Sequence, residues 1–307
     1  MNEIIKTESL VKRFGQTMAV NDISINVNKG EIYGFLGLNG AGKTTLIRML
    51  LGLIKPTSGR VLLHGKEVKP GLIEVWKDVG YLVETPYSYP DLTVTENLEV
   101  IRKLRGITDN ESVTRVINKL NLNAYKDVLV KHLSLGNAQR LGIAKALIHN
   151  PSILILDEPA NGLDPAGIVE IREFLKGLAI NHGVTIFISS HILDEIAKLA
   201  NRIGIIHEGH LIQELTSIDL EAKLSKELIL STRDNKKLYS LLEQEGYSPK
   251  LDAKGTISLV EKKAIEAPDV IATFLVNQQL PPTMLKVEEE NLESFFLRTI
   301  SSKEVHT

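Results

Sequence analysis

The chain lacks cysteine altogether, and neither sign of charge is in excess. Without cysteine it has no disulfide framework, no thiolate metal site and no catalytic thiol. The 36 basic residues against 38 acidic ones leave a net charge of -2. A balance of this kind gives no global attraction for nucleic acid, so no nucleic-acid partner is expected.

Long hydrophobic runs are also missing. The longest stretch without a charged residue, 177–193, contains asparagine, histidine, glycine and serine, and it is too polar to span a bilayer. The N-terminus has no apolar segment after a basic start, so no secretory signal is predicted. We therefore expect a cytosolic chain that acts at a membrane only by docking on another subunit.

The length and the apolar pattern predict an α/β protein. At 307 residues, with 43% hydrophobic and 24% charged residues, the chain has room for about two globular domains. Ile153–Leu156 and Val184–Ile188 are wholly apolar runs, typical of strands covered on both faces, and the amphipathic segment Ile168–Leu178 lies between them. This order predicts a βαβ unit in a parallel sheet. Further strands are predicted at Ile4–Leu10, Ile23–Val27, Ile32–Leu36 and Arg202–His207.

Two other regions differ from this core. Helical patterns, including Val113–Leu120 and Ala138–Ile148, dominate residues of about 86–150 and predict an inserted helical subdomain within a first domain of residues 1–215. Beyond it, Leu228–Thr232 and Thr256–Val260 have the pattern of strands and alternate with helical segments. Residues 216–307 are therefore predicted to form a small C-terminal α+β domain without a recognisable chemical motif.

A glycine-rich segment carries the first chemical motif. Residues 37–44 fit G-x-x-x-x-G-K-[ST], follow the apolar run Ile32–Leu36 and precede a helical pattern that includes Leu46. In such a phosphate loop (P-loop) the backbone N–H groups surround phosphates, Lys43 binds the β- and γ-phosphates, and the Thr44 hydroxyl binds Mg²⁺. The alternative is a glycine turn with an exposed lysine.

Two carboxylates end the apolar run at Ile153–Leu156. Asp157 and Glu158 lie where a buried strand meets the carboxyl edge of a parallel sheet, the usual ligand-binding edge. Asp157 is predicted to bind Mg²⁺, and Glu158 to polarise the attacking water. The alternative is a strand followed by an acidic helix cap. Together with the phosphate loop, the pair is compatible with ATPases, GTPases and kinases.

The segment that distinguishes these classes is Leu133-Ser134-Leu135-Gly136-Asn137-Ala138-Gln139-Arg140. It resembles the LSGGQ-x-Q-R signature of ATP-binding-cassette ATPases. Asn161-Gly162-Leu163-Asp164 is similar to the D-loop of that family, and Ser189-Ser190-His191 to its switch-histidine segment. The resemblance covers roughly residues 1–215. It implies the P-loop NTPase fold of these ATPases, a mixed β core with an inserted helical subdomain.

The resemblance also implies ATP and Mg²⁺ as ligands. Phe14 occupies the position where the family stacks an aromatic ring on adenine, although a core phenylalanine is an open alternative. His191 would contact the γ-phosphate and help to orient water. The implied nucleotide-binding residues are Phe14, Asn39, Gly40, Ala41, Gly42, Lys43, Thr44, Thr45, Glu84, Ser134, Gly136 and Asp164; the metal ligands are Thr44, Asp157 and Glu84; the catalytic residues are Lys43, Glu158 and His191.

Three residues depart from the common family pattern. Glu84 replaces the glutamine of the Q-loop, and Leu135 and Asn137 replace a glycine and a glutamine of the signature. These departures resemble one branch, the ATPases of bacitracin-resistance and lantibiotic-immunity transporters. Asn161–Pro165 and Ser189–Leu193 match two further segments that recur in that branch.

The resemblance implies a head-to-tail homodimer that binds ATP between the P-loop of one chain and the signature of the other. A separate integral-membrane permease would hold this dimer at the cytoplasmic face of the membrane and export a peptide antibiotic. The alternatives are an exporter of another lipophilic cargo, a soluble cassette acting on ribosomes or DNA, and a non-hydrolysing regulatory module. The chain has a single cassette and no long heptad tract, which weighs against a soluble cassette acting on ribosomes or DNA. The intact set of Lys43, Asp157, Glu158 and His191 weighs against a non-hydrolysing module.

Overall fold

The computed structural model describes residues 3–69, 76–84, 87–252 and 255–304. The chain divides into two compact units, Met1–Ile218 and Asp219–Thr307. The division falls after Ile218 rather than after residue 215, because the last strand of the first unit stays paired as far as Thr216. Within the described ranges, no helix combines the length and the apolar character needed to cross a membrane.

The described residues of the first unit form two sheets. Its strands are β1 (Glu3–Phe14), β2 (Thr17–Ile23), β3 (Asn26–Asn28), β4 (Ile32–Leu36), β5 (Ser58–Leu63), β6 (Lys66–Glu67), β7 (Val79–Leu82), β8 (Ile153–Asp157), β9 (Thr185–Ser190), β10 (Arg202–His207) and β11 (His210–Thr216). The first sheet has the order β2-β1-β5-β6, with β3 also paired to β1, and it is antiparallel.

The prediction of one continuous strand over Ile23–Val27 is wrong, since β2 ends at Ile23 and β3 begins at Asn26. The buried Thr7 hydroxyl donates to the Ile23 carbonyl at 2.9 Å and accepts from the Ile25 N–H at 3.0 Å. A side chain thus satisfies the backbone where the strand breaks, which hydroxyl residues do readily.

The second sheet positions the chemical motifs. Its order is β11-β10-β4-β9-β8-β7, with every pair parallel except β10 with β11. Strands β4, β8 and β9 are buried along their whole length, as the apolar runs predict. Because parallel strands place their carboxyl ends at one edge, the residues after β4, β8 and β9 meet there. Tyr33, Phe35 and Phe187 pack in the core beneath this edge.

Helices cover the parallel sheet and fill the segment between β7 and β8. The helix Val94–Leu104 begins with a capping box of Thr93 and Glu96, and Ser134 caps the helix Leu135–Leu147, named here the signature helix. That cap starts the helix before the predicted Ala138. The α-helices of the first unit in the described residues are Lys43–Leu50, Val94–Leu104, Ser112–Lys119, Leu135–Leu147, Pro165–His182 and Leu193–Leu199, and Ser217–Lys223 includes the last residues of this unit.

In the described part of the second unit, β12 (Lys226–Ser231), β13 (Lys250–Leu251), β14 (Ile257–Leu259) and β15 (Met284–Glu289) form an antiparallel sheet in the order β13-β14-β12-β15. With its helices this gives a βαββαβ arrangement of the ferredoxin-like type. Leucines and isoleucines of β12 and β14 pack against the helices in a separate core. The helices are Asn235–Gln244, Lys262–Glu266, Pro268–Asn277 and Leu292–Glu304.

Candidate active site

The phosphate loop joins β4 to the helix Lys43–Leu50 and is built on close backbone approaches. A Cβ on Gly42 would lie 2.3 Å from the Ala19 carbonyl oxygen, and Gly42 has a φ of 108°, so only glycine fits there. Lys43 is 6% exposed, and its Nζ donates to the carbonyls of Gly37 at 2.6 Å and Leu38 at 3.2 Å. The alternative of an exposed lysine after a turn is therefore wrong.

The remaining loop residues surround the same helix start. Asn39 and Gly40 are exposed, Ala41 is buried, and Thr44 and Thr45 are half-buried on the first turn. The Ala41 N–H donates to the Leu38 carbonyl at 3.1 Å, which closes the loop. A helix N-terminus of this form presents N–H groups and a partial positive charge to an anion.

Asp157, the last residue of β8, is bonded both to the helix that follows the phosphate loop and to the neighbouring strand β9. Its side chain is buried, and its Oδ2 accepts from the Thr44 hydroxyl at 2.8 Å while its Oδ1 accepts from the Ser189 hydroxyl at 2.5 Å. A carboxylate beside a hydroxyl is a donor set that suits Mg²⁺. The described residues contain no cluster of three or more His, Cys, Asp or Glu that could hold a metal.

Glu158 follows Asp157 with a left-handed φ of 50°. Its Oε1 lies 3.3 Å from Lys43 Nζ, and its Oε2 lies 2.7 Å from His191 Nδ1. The next helix, Pro165–His182, is capped by Asp164, whose Oδ1 accepts from the Gly167 N–H at 3.0 Å. The interpretation of Asp157 and Glu158 as a helix cap is therefore wrong. The carboxylate lies between a lysine and a histidine at the carboxyl edge of the sheet.

A cavity of about 280 Å³ opens in front of these groups. Glu84, which has a φ of 56°, lines it and pairs through Oε1 with the Arg48 guanidinium at 2.5 Å. One carboxylate oxygen of Glu84, a predicted metal ligand, is thus engaged by the guanidinium of Arg48. The lining residues are Thr44, Glu84, Leu135, Gln139, Asp157, Glu158 and Asn161.

Phe14 lies apart from the core. Its ring is 51% exposed, and the Lys12 ammonium lies 4.8 Å from the ring centroid. The alternative of a core phenylalanine is wrong, because half of the side chain faces solvent. An exposed ring with a cation near it is suited to stacking on a flat heterocycle.

Ser134 and Gly136 of the signature lie at the start of a helix, outside the group of residues around the phosphate loop. Ser134 Oγ accepts from the Asn137 N–H at 3.3 Å, and Leu135 is 60% exposed. Among the described residues that line the cavity, Leu135 is present, whereas Ser134, Gly136 and Asp164 are not. A single chain thus brings the phosphate loop together with Asp157, Glu158 and His191, and leaves the signature serine and glycine outside that group.

Sequence reasoning did not identify two site residues. Ser189 fixes Asp157 through its hydroxyl, and its carbonyl accepts from the Glu158 N–H at 3.2 Å. Gln139 donates to the Glu158 carbonyl at 3.3 Å. For Ser189 a signal existed, namely a polar residue at the carboxyl end of an apolar run. For Gln139 the signal was its place in the signature segment, but a glutamine within a helix gives no indication of its partner.

A parallel sheet with a phosphate loop and paired carboxylates at its carboxyl edge defines a P-loop nucleotide-binding protein. Residues 20–161 match the family model "ABC transporter". The chain is 41% identical over 301 residues to the bacitracin transport ATP-binding protein BcrA of Enterococcus faecalis, covering 98% of this chain and 97% of that protein. It is 38% identical to the lantibiotic transport ATP-binding protein SrtF of Streptococcus pyogenes, covering 75% of this chain and all of SrtF.

A solved structure of the ATP-binding cassette MJ0796, dimeric and bound to ADP and Pi after hydrolysis, covers 70% of this chain with a TM-score of 0.64 and 26% identity. The chain belongs to the ATP-binding proteins of ABC transporters. Membership confirms the predicted fold class and the predicted ATPase activity.

Proposed function

We propose that this chain is the ATP-hydrolysing subunit of an exporter that removes a peptide antibiotic of the bacitracin or lantibiotic type from the membrane. Glu158, held between Lys43 and His191, is the observation that supports hydrolysis by this cassette. The cargo class is supported by the similarity to bacitracin transport ATP-binding proteins along nearly the whole chain. Export of another lipophilic cargo is the second candidate.

Nucleotide binding begins at the phosphate loop. Lys43 would exchange the carbonyls of Gly37 and Leu38 for oxygens of the β- and γ-phosphates. Thr44 and Asp157, already 2.8 Å apart, would hold Mg²⁺, and Glu84 would reach it across the cavity. The bound ion would neutralise charge on the β- and γ-phosphate oxygens. Asn39 to Gly42 and Thr45 would surround the phosphates, and Phe14 would stack on the adenine.

Hydrolysis follows from the position of Glu158. Its carboxylate would accept a hydrogen bond from a water molecule aligned with the γ-phosphorus. The water oxygen forms a bond to phosphorus, the bond from phosphorus to the β–γ bridging oxygen breaks, and ADP leaves. The carboxylate receives the water proton. His191 would orient Glu158 through the 2.7 Å contact and approach the γ-phosphate with its other ring nitrogen.

The signature residues require a second chain. Ser134, Gly136 and Asp164 lie at or near helix starts, outside the group around Lys43. In a head-to-tail homodimer with two-fold symmetry, these residues of one chain would meet the ATP on the P-loop of the other. A separate integral-membrane permease would hold the dimer at the cytoplasmic face of the membrane. The permease would convert closing and opening of the ATPase dimer into export only if it binds the closed dimer and the open dimer with different affinities.

The adenine contact gives a direct prediction. Replacing Phe14 by alanine is expected to raise the KM for ATP about tenfold, because stacking of a base on an aromatic ring contributes about 1–3 kcal/mol. The melting temperature should stay at the wild-type value, since half of the ring is exposed. Steady-state ATPase kinetics and thermal unfolding measure both quantities. Phe14→Tyr keeps the stacking face and should keep the KM, whereas an unchanged KM in the alanine variant would remove Phe14 from the site.

The cargo is tested in cells that express this chain together with a candidate permease. We expect resistance to bacitracin or to nisin, read as a higher minimal inhibitory concentration, and loss of that resistance in a Glu158→Gln variant expressed at the same level. Resistance to one peptide would identify the cargo. If the cells stay as susceptible to both peptides as cells without these two proteins, while the permease is shown to bind the ATPase, the peptide assignment is contradicted and another lipophilic cargo is favoured.

A further inference from the structure

Gln139 is a buried polar side chain that the mechanism above does not use. It lies in the signature helix, is 3% exposed, and lines the same cavity as Thr44 and Glu158. Its Nε2 donates to the Glu158 backbone carbonyl at 3.3 Å. A buried amide requires hydrogen-bond partners, and this partner is the backbone of the residue that carries the proposed base. The bond therefore links the signature helix to the end of β8.

The backbone of Glu158 needs such support. A residue other than glycine with a φ of 50° is strained, and this strain persists only where the surroundings fix it from several sides. The Glu158 N–H donates to the Ser189 hydroxyl at 3.1 Å and to the Ser189 carbonyl at 3.2 Å. The Glu158 carbonyl accepts from the Asn161 N–H at 3.1 Å and from Gln139. Of these partners, only Gln139 comes from the signature helix.

The same helix contacts the same segment at a second point. A Cβ on Gly162 would lie 2.3 Å from Leu135 Cδ2, so the Leu135 side chain lies directly on this glycine. A Cβ on Gly136 would lie 3.2 Å from the Gly162 carbonyl oxygen. The first turns of the signature helix thus touch both ends of residues 158–162. A shift of the helix must therefore displace this segment or break these contacts.

We propose that Gln139 is a positioning residue that ties the orientation of the signature helix to the backbone of Glu158. The Glu158 carboxylate then points at the attacking water only when the signature helix is in place. In the proposed dimer this helix faces the ATP on the partner chain, so Gln139 would make hydrolysis at one site depend on occupancy of the other. The inference rests on the proposed role of Glu158 as the base.

The test replaces Gln139 by methionine, which keeps the length of the side chain and removes the donor. We expect kcat for ATP hydrolysis to fall about fivefold, the effect of losing one hydrogen bond, with KM unchanged and the melting temperature lowered by no more than about 4 °C. Gln278→Met makes the same chemical change on the exposed surface of the second unit and should leave all three quantities at wild type. A kcat that stays at the wild-type value in Gln139→Met, or a loss accompanied by a higher KM and a melting temperature lowered by much more than about 4 °C, would overturn the inference.

Gln139→Glu gives a readout that a purely structural role would not move. Ionised, the new carboxylate has no donor for the Glu158 carbonyl, whereas its protonated form has one. The kcat relative to wild type should therefore rise as pH falls, and a flat ratio would count against the positioning role. Glu158→Gln is measured alongside. Full turnover there overturns the proposed base and with it this inference, whereas lost turnover there beside an unaffected Gln139→Met overturns the inference alone.

Discussion

ATP turnover is expected to fall about a thousandfold when Glu158 is replaced by glutamine, while ATP still binds. The expected loss follows from the position of the carboxylate, whose two oxygens contact Lys43 and His191 at the edge of the sheet. Glutamine has the same shape but is a much weaker base, so the attacking water loses its proton acceptor. Phosphate release under saturating ATP measures kcat, and titration with a fluorescent ATP analogue measures affinity.

Two comparisons make this result specific to the site. Glu243→Gln makes the same change on an exposed helix of the second unit and should leave turnover at the wild-type value. The affinity for ATP in Glu158→Gln should not fall, because loss of the negative charge leaves Lys43 free for phosphate. Hydrolysis at the wild-type rate would show that another group activates the water, and lost ATP affinity would show that Glu158 acts in binding.

The parts of the site that were predictable from the sequence are local. Gly42, Lys43 and Thr44 are consecutive, and the glycine is required by a backbone approach that any such loop has to make. Asp157 and Glu158 were identifiable because carboxylates after a wholly apolar run lie at the carboxyl edge of a parallel sheet. The contact of Asp157 with Thr44 depends on strand order, which brings together residues 113 positions apart.

The parts that were not predictable depend on partners distant in the chain. The ion pair of Glu84 with Arg48 and the bond of Gln139 to Glu158 leave no periodic or compositional signal. In the fold, β15 (Met284–Glu289) was missed because it is an edge strand, and its exposed residues do not alternate clearly between apolar and polar. The break between β2 and β3 was missed because it depends on Thr7 in another strand. Amphipathic helices such as Pro268–Asn277 were predictable, since their apolar spacing is within one segment.

Replacing Lys43 by methionine is expected to abolish measurable hydrolysis and to weaken ATP binding, unlike the change at Glu158. The ammonium is buried and donates to two loop carbonyls, a geometry that places its charge where phosphate oxygens would lie. A hydrogen bond to a charged group contributes about 1.5–3 kcal/mol, so the dissociation constant should rise by about one to two orders of magnitude. Loss of a positioned cation at the developing phosphate charge should lower kcat by about a further hundredfold or more.

The charge alone should not restore activity at this position. Lys43→Arg keeps the cation, but a planar guanidinium is bulkier than an ammonium and does not fit a site that leaves 6% of the lysine exposed and holds Glu158 Oε1 at 3.3 Å. We expect Lys43→Arg to remain inactive while Lys237→Met, on an exposed helix, behaves as wild type. Phosphate release and nucleotide titration of all three variants distinguish these results. Recovery of activity by arginine would mean that Lys43 acts only through its charge, and wild-type ATP affinity in Lys43→Met would place the phosphates elsewhere.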